Sequence, residues 1–271
     1  MNWTPDDDAK LRSALAVPSY YRDGKLASIA ADLGRSIDSV KGRAKHLGIP
    51  RNESRLIIRQ DLTIHDLGDD VRQVLIGSIL GDGSLRYQNG RTHFREEHEA
   101  KQRNYVVWKA DVLRPLHGQF YDGTKPTVRT PSAPMFSDLK EQFYGSTSGM
   151  KNRIPQGLIR DLGALGLLIW YLDDGSVQWH KITMRIGSKC FSRDDLEATC
   201  DTLNLELGTD LAVTSSRHRG GQYHCITIRE ASRKVLLPLW LADAERLGLP
   251  DCMMYKIRPT PPLASVPPAK W

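Results

Sequence analysis

No apolar run in this 271-residue chain approaches the roughly 18–20 residues needed to cross a bilayer, so no membrane span is expected. The start, Met1-Asn2-Trp3-Thr4-Pro5-Asp6-Asp7-Asp8, is acidic. It lacks the pattern of a secretory signal or an Arg-rich transit peptide, and a cytoplasmic, intracellular protein is expected. Cysteine is scarce: Cys190, Cys200, Cys225 and Cys252 stand alone, with no C-x-x-C spacing. That argues against a zinc knot or a disulfide framework and fits reduced thiols. The histidines include no pair at metal-ligand spacing on one helix, so they are assigned no metal. Acid is missing in particular places. Residues 84–95 carry Arg86, Arg91 and Arg95; residues 175–193 carry Lys181, Arg185, Lys189 and Arg193; residues 211–229 carry Arg217, Arg219 and Arg229. None of the three stretches contains Asp or Glu.

What remains is an ordinary globular composition, 40% hydrophobic and 26% charged, with a net charge of +6. The excess cation is weak support for a polyanionic partner by itself; its confinement to acid-free stretches says more. Two of those stretches begin just after a repeated motif. Leu75-Ile76-Gly77-Ser78-Ile79-Leu80-Gly81-Asp82-Gly83 is echoed by Leu167-Leu168-Ile169-Trp170-Tyr171-Leu172-Asp173-Asp174-Gly175, with the acids 92 positions apart (174 − 82). Each is an apolar run ending in an acid and then Gly-Ser. One copy is no more than a helix running into a turn; two copies, each followed by a cationic strand, suggest two helices of one pseudo-symmetric core that deliver a carboxylate each to a shared metal site. Gly77 costs roughly 1 kcal/mol against Ala inside a helix, which implies close helix–helix contact there. The second copy has Ile169 at that place, so its packing is expected to be looser.

In chain order, residues 1–50 read as a three-helix domain. Thr4 caps the first helix with Pro5 at its first position; Lys25–Leu33 forms the second, stopped by Gly34; Ser36 caps a third, Ile37–Leu47. A short turn before a helix bearing Lys41, Arg43 and Lys45 has the form of a helix-turn-helix. The residues Trp3-Thr4-Pro5, Asp8, Leu11, Ile29-Ala30, Leu33-Gly34-Arg35-Ser36, Ser39-Val40, Arg43 and Leu47-Gly48 resemble Myb/SANT-like domains. That resemblance implies a major-groove helix with Ser39, Lys41, Arg43 and Lys45 as DNA contacts. Residues 51–68 read as a linker with a short strand at Leu56–Ile58.

Beyond it the first motif helix starts near Asp69. Arg91, His93 and Arg95 then share a strand face, Glu99–Leu113 is an amphipathic helix with Tyr105, Trp108, Val112 and Leu113 inward, and Lys125, Thr127 and Arg129 continue the basic pattern. The second half repeats the order. Ile182, Met184 and Ile186 alternate with polar positions, Ser192 and Asp195 form a capping box, and a hairpin Leu211–Ser216/Gln222–Arg229 precedes a helix from Ala231 to Leu247 that Pro238 is expected to kink. Residues 259–271 read as a Pro-rich extended tail.

With the stretches His98-Glu99-Ala100-Lys101-Gln102, Tyr105, Trp108-Lys109, Lys151-Asn152-Arg153-Ile154-Pro155 and Tyr255-Lys256-Ile257, the two motifs resemble the paired signature of single-chain LAGLIDADG homing endonucleases over about residues 70–257. The resemblance implies an α+β fold: two pseudo-symmetric αββαββα-type halves, 69–150 and 151–258, forming a β-saddle astride double-stranded DNA in a monomer. It also implies a site-specific endonuclease cutting one phosphodiester on each strand. By position, Asp82 and Asp174 become the catalytic metal-binding acids, with the backbone carbonyls of Gly81 and Asp173 as further ligands. Oxygen ligands imply Mg²⁺, with Mn²⁺ a substitute. Lys101 and Lys189 are candidates to stabilise the developing phosphate charge, or else solvated surface lysines. Asp173 is either a second ligand or a turn acid, and Trp170 and Tyr171 are core residues rather than stacking groups. The DNA-contact set on the strands is Arg86, Arg91, His93, Arg95, Lys125, Arg129, Lys181, Arg185, Arg217, Arg219 and Arg229. Two alternatives stay open: a non-catalytic DNA-binding regulator on the same scaffold, disfavoured by the presence of both acids, and an RNA maturase, because basic strands do not separate intron RNA from DNA.

Overall fold

The computed structural model describes residues 3–16, 28–48, 61–145, 149–178, 183–188, 190–218 and 221–258. The chain divides into two compact units, residues 1–57 and 58–271.

In the smaller unit, α1 (Pro5–Ala16) opens on a reciprocal cap: Asp7 N–H donates to Thr4 Oγ1 at 3.1 Å and Thr4 N–H to Asp7 Oδ2 at 3.2 Å. Residues 28–32 are helical (α2), Gly34 takes the left-handed conformation at φ +58°, and α3 (Ile37–His46) begins with Ser36 accepting from Ser39 N–H. Leu11, Ile29, Ala30, Val40 and Ala44 form its core. The start of the second helix and the strand expected at Leu56–Ile58 lie outside the described residues.

The larger unit has the expected αββαββα order twice. The first run is α4 (Asp69–Leu80), β1 (Ser84–Gln88), β2 (Arg91–Glu97), α5 (Arg103–Val112), β3 (Gln119–Tyr121), β4 (Thr127–Arg129) and α6 (Pro134–Tyr144). After the single turn α7 (Gln156–Ile159), the second is α8 (Gly163–Asp174), β5 (Gly175–Gln178), β6 (Thr183–Ser188), α9 (Arg193–Leu207), β7 (Leu211–His218), β8 (Gly221–Ile228) and α10 (Glu230–Arg246), followed by α11 (Asp251–Met254). Each half contributes one antiparallel four-stranded sheet, ordered β1-β2-β4-β3 and β5-β6-β8-β7. The alternation read from sequence sets the faces: Leu85 opposite Phe94, and Met184 opposite Ile228, turn inward as buried pairs. Ala100–Gln102 is a short 3₁₀ turn rather than the start of α5, and α10 continues through Pro238. Residues 259–271 lie outside the described set.

At the centre α4 packs on α8, and glycine sets how closely. A Cβ on Gly77 would lie 2.9 Å from Ile169 Cβ and nearer still to the Gly166 carbonyl oxygen; one on Gly166 would lie 3.0 Å from the Gln73 carbonyl oxygen. The second helix is therefore not loosely packed, as Ile169 suggested. Its small residue is Gly166, one turn earlier. Because the obstruction at Gly77 is largely backbone, Gly77→Ala is expected to cost about 1–3 kcal/mol by forcing the helices apart. Gly157→Ala, whose Cβ would meet nothing within 4 Å, is expected to be neutral in the same thermal-unfolding comparison.

Candidate active site at the paired helix ends

The α4–α8 contact brings the C-termini of both motif helices together, and with them the partial negative charge of their last carbonyls. Asp82 follows α4 and Asp174 is the last residue of α8; both are exposed. Despite that exposure, crowding protein atoms desolvate the Asp174 carboxyl, and with the negative charge of Asp82 nearby they push it up to about 6. Repulsion between the two acids is a local cost, and a bound divalent cation would relieve it. Ligand atoms of Asp82, His98 and Asp173 all lie within 4.8 Å of one another. The donors are two carboxylates and an imidazole. They fit a divalent cation.

Three lysines accompany these acids, Lys109 and Lys256 buried and Lys151 half-buried, and none is one of the two expected. Lys151 Nζ donates to the carbonyls of Ile79 (2.7 Å), Gly83 (3.0 Å) and Gly81, closing the end of α4. Lys256 Nζ donates to the Leu172 carbonyl at 2.6 Å, near the end of α8. Burial lowers both ammonium pKa values, while Asp82, Asp173 and Asp174 all oppose the shift. The two lysines thus hold pseudo-equivalent places beside the paired acids. The Gly81 carbonyl, expected as a cation ligand, is engaged by Lys151.

Lys109, on the inward face of α5, is fully buried. Its Nζ donates to Glu96 Oε1 at 2.5 Å and to Asp173 Oδ1 and Oδ2 at 2.9 and 2.8 Å. Tyr105 OH donates to Asp173 Oδ1 at 2.9 Å. Asp173 is therefore the acid of a buried ion pair rather than a turn cap. Burial alone would raise Glu96, yet Lys109 and His98 outweigh it and hold this carboxyl at about 2. Burial and the Glu96 charge push Asp173 up, against the pull of Lys109. His98 is raised because Glu96 overcomes the burial that would lower it.

Of the two predicted lysines, Lys101 is exposed on its 3₁₀ turn and Lys189 lies outside the described residues. Trp170 and Tyr171 are fully buried, the latter stacked on Trp240 at 5.2 Å between ring centroids, as their assignment to the core required.

The outer face of the first sheet carries the cations. Arg86 stands opposite His93, and Arg95 opposite Arg129. Arg95 also forms an ion pair with Glu97 on its own strand; the remaining excess of cations on this face opposes folding by itself and becomes favourable against a polyanion. Buried beneath Arg86, Arg95 and Arg129, His93 is held down at about 4, first by desolvation and then by those guanidiniums, so it remains neutral near pH 7. Arg91 and Lys125 are exposed. On the second sheet Arg185 is exposed, the backbone of Arg217 lies on β7, and Lys181 and Arg219 fall outside the described residues.

Two predicted contacts are committed elsewhere. Arg229 sits beyond β8 and donates to both Asp210 oxygens at 2.8 and 2.9 Å. Arg43 donates to both Asp8 oxygens at 2.8 and 2.6 Å, with Trp3 beside it. Each is paired with a nearby acid, as Arg95 is with Glu97, and the Arg229 pair is more than half exposed. On α3, Lys41 and Lys45 are exposed, Ser39 is half-buried, and Lys41 lies 3.7 Å from Asp38.

A sequence model of the LAGLIDADG DNA endonuclease family matches residues 72–236. DNA endonuclease I-ChuI of Chlamydomonas applanata is 26% identical over 212 residues, covering 69% of this chain and 93% of that protein. Protein RecA of Mycolicibacterium chitae is 34% identical over 117 residues, 41% of this chain; the match spans only 27% of the RecA sequence. Among solved structures, the homing endonuclease I-WcaI bound to its DNA recognition sequence superposes with a TM-score of 0.60 at 16% identity, covering 79% of this chain and 96% of that one.

Proposed function

Because the chain belongs to the LAGLIDADG DNA endonuclease family, we propose that it is a site-specific double-strand DNA endonuclease, a homing endonuclease that hydrolyses one phosphodiester on each strand. The single observation that carries this reading is the pair Asp82 and Asp174 at adjoining helix ends, close enough for the charge of one to raise the other. Cutting a duplex requires two scissile phosphates to be handled by nearly symmetric groups. A tandem repeat supplies both in one monomer.

A Mg²⁺ ion at these carboxylates, with Mn²⁺ as substitute, would supply an acidified water and neutralise charge on the phosphate. Asp82 and Asp174 would hold such ions. Lys151 and Lys256, which donate to backbone carbonyls at the two helix ends, would offset negative charge developing there, in place of Lys101 and Lys189. Arg86, Arg91, Arg95, Lys125, Arg129 and Arg185 bind the backbone of the duplex and set its register over the acids. His93, buried beneath them, has no exposed edge to offer the duplex. The test is linearisation of a supercoiled plasmid pool carrying random inserts, with Mg²⁺ and with a chelator. Linear product that requires the ion supports the reading; its absence under both conditions overturns it.

The N-terminal unit is read as a Myb/SANT-like helix-turn-helix module with α3 in the major groove, contacting DNA through Lys41, Lys45 and Ser39. A tethered second module raises affinity through its effective concentration. Deleting residues 1–57 is therefore expected to weaken DNA binding by about 10²-fold, measured by titration of labelled duplex, without moving the cleavage position. A displaced cut would show that this unit sets the register.

A further inference from the structure

His98 is buried, yet one side of its ring is held while the other is left open. Nε2 lies 2.5 Å from Glu96 Oε1, and Glu96 is itself anchored by Lys109. Tyr105 meets the ring edge-on, with centroids 5.2 Å apart and planes at 70°. The side chain is only 2% exposed. With Nε2–H donated to Glu96, the lone pair of the neutral ring is on Nδ1. Among the described residues Nδ1 makes no hydrogen bond and faces Asp82 Oδ2 at 3.7 Å. That spacing can be bridged by one ion whose bonds to nitrogen and oxygen are each about 2.0–2.2 Å. A carboxylate on one imidazole nitrogen and an open second nitrogen is the usual arrangement of a metal-binding histidine.

The second half is built differently. Ser84 and Ser176 each stand two residues after a motif acid, and they pair with Arg95 and Arg185. Counting along the strands from those partners, Glu96 corresponds to Ile186 and His98 to Ser188. The ion-paired acid and the imidazole thus belong to one half alone.

We propose that His98 Nδ1 is a nitrogen ligand to the divalent cation held at Asp82, so that this cation position favours a transition-metal ion over Mg²⁺ more than the position at Asp174 does. The inference rests on the metal-dependent reading of the two acids. Imidazole raises affinity for transition metals relative to Mg²⁺, which keeps to oxygen ligands. An ion at Nδ1 takes the place of the proton that Glu96 favours in its absence. Glu96 and Lys109 are positioning residues: they orient the ring without touching the cation.

The full-length protein is titrated calorimetrically with Mn²⁺ and, separately, with Mg²⁺, and its Mn²⁺ form is examined by pulsed EPR for coupling to ¹⁴N. Wild type is expected to show that coupling. His98→Gln is expected to lose it and to bind Mn²⁺ about tenfold or more weakly at one position, while Mg²⁺ binding changes less than about threefold. Should His98→Gln fail to fold, Glu96→Gln retains the ring and is expected to keep the ¹⁴N coupling with weakened Mn²⁺ affinity. Asp82→Asn separates the layers of the inference. If it weakens Mn²⁺ binding but wild type shows no ¹⁴N coupling, the histidine ligand is wrong and the carboxylate site stands. If wild type binds no Mn²⁺, both fail. Equal losses of Mn²⁺ and Mg²⁺ in His98→Gln overturn the selectivity.

Discussion

Asp82→Asn and Asp174→Asn are each expected to abolish double-strand cleavage, lowering its rate by roughly 10³-fold or more, about 4 kcal/mol of transition-state stabilisation. Binding of the uncut duplex should change little if, as proposed, the strand arginines supply the phosphate affinity. The substitution keeps the side-chain shape and removes the charge that a cation requires. It also removes the charge repulsion that, after desolvation, helps push Asp174 up to about 6. Neither variant should therefore lose stability, and a gain of a few tenths of a kcal/mol would be consistent with relief of a like-charge pair. A strand-resolved assay separates the two acids: if each serves one phosphate independently, each variant nicks one strand, and if they act as a unit, neither strand is cut. Double-strand cleavage by both variants would show that the carboxylates are not catalytic.

Lys109→Met is expected to be the most destabilising single change near the site, at about 3–5 kcal/mol, because it strands Asp173 in a fully buried place and leaves Glu96 with His98 alone. At about 2–4 °C per kcal/mol for a unit of this size, the melting temperature should fall by about 10 °C. The loss belongs to the abandoned charges rather than to any large net benefit of the ion pair. The pseudo-equivalent positions make that distinction testable. Ile186 occupies the counterpart of Glu96, and Gly81 the counterpart of Asp173 (173 − 92 = 81). Adding Glu96→Ile and Asp173→Asn to Lys109→Met should recover at least half of the lost stability in thermal unfolding. A triple variant no better than the single one would mean that Lys109 contributes mainly through packing.

The features readable in the sequence were those set by local periodicity and by repetition. The repeated acid and the alternation around Phe94 and Met184 were enough to place two helix ends and two sheets. The caps at Thr4, Ser36 and Ser192 lie where side-chain chemistry alone puts them. Gly77 announced a close approach, but its partner Gly166 could not be identified from pattern, since the crossing of two helices decides which turns meet. Long-range pairing of charges was equally hidden. Arg43 and Arg229 have the composition of DNA contacts, and only the fold brings Asp8 and Asp210 to them.

Lys109 carried a faint signal: it lies four residues after Tyr105, on the stripe assigned to the interior, where an unpaired ammonium would be untenable. That position could have marked it as a buried ion-pair partner, though not named Asp173 as its acid. Lys151 and Lys256 carried less, being single lysines near the ends of irregular segments. His98 has carboxylates rather than a second histidine as its companions, and they come from other elements.

The central claim is that two aspartates from a tandem repeat make one site that cuts both strands of a defined sequence. It is tested most directly by incubating the wild-type chain and an Asp82→Asn/Asp174→Asn double variant with a randomised duplex library and Mg²⁺, and sequencing the ends produced. Paired ends at a fixed position within one recurrent sequence, present with wild type and absent with the double variant, are the predicted result. Ends without recurrent sequence, or the same ends from both proteins, would contradict it.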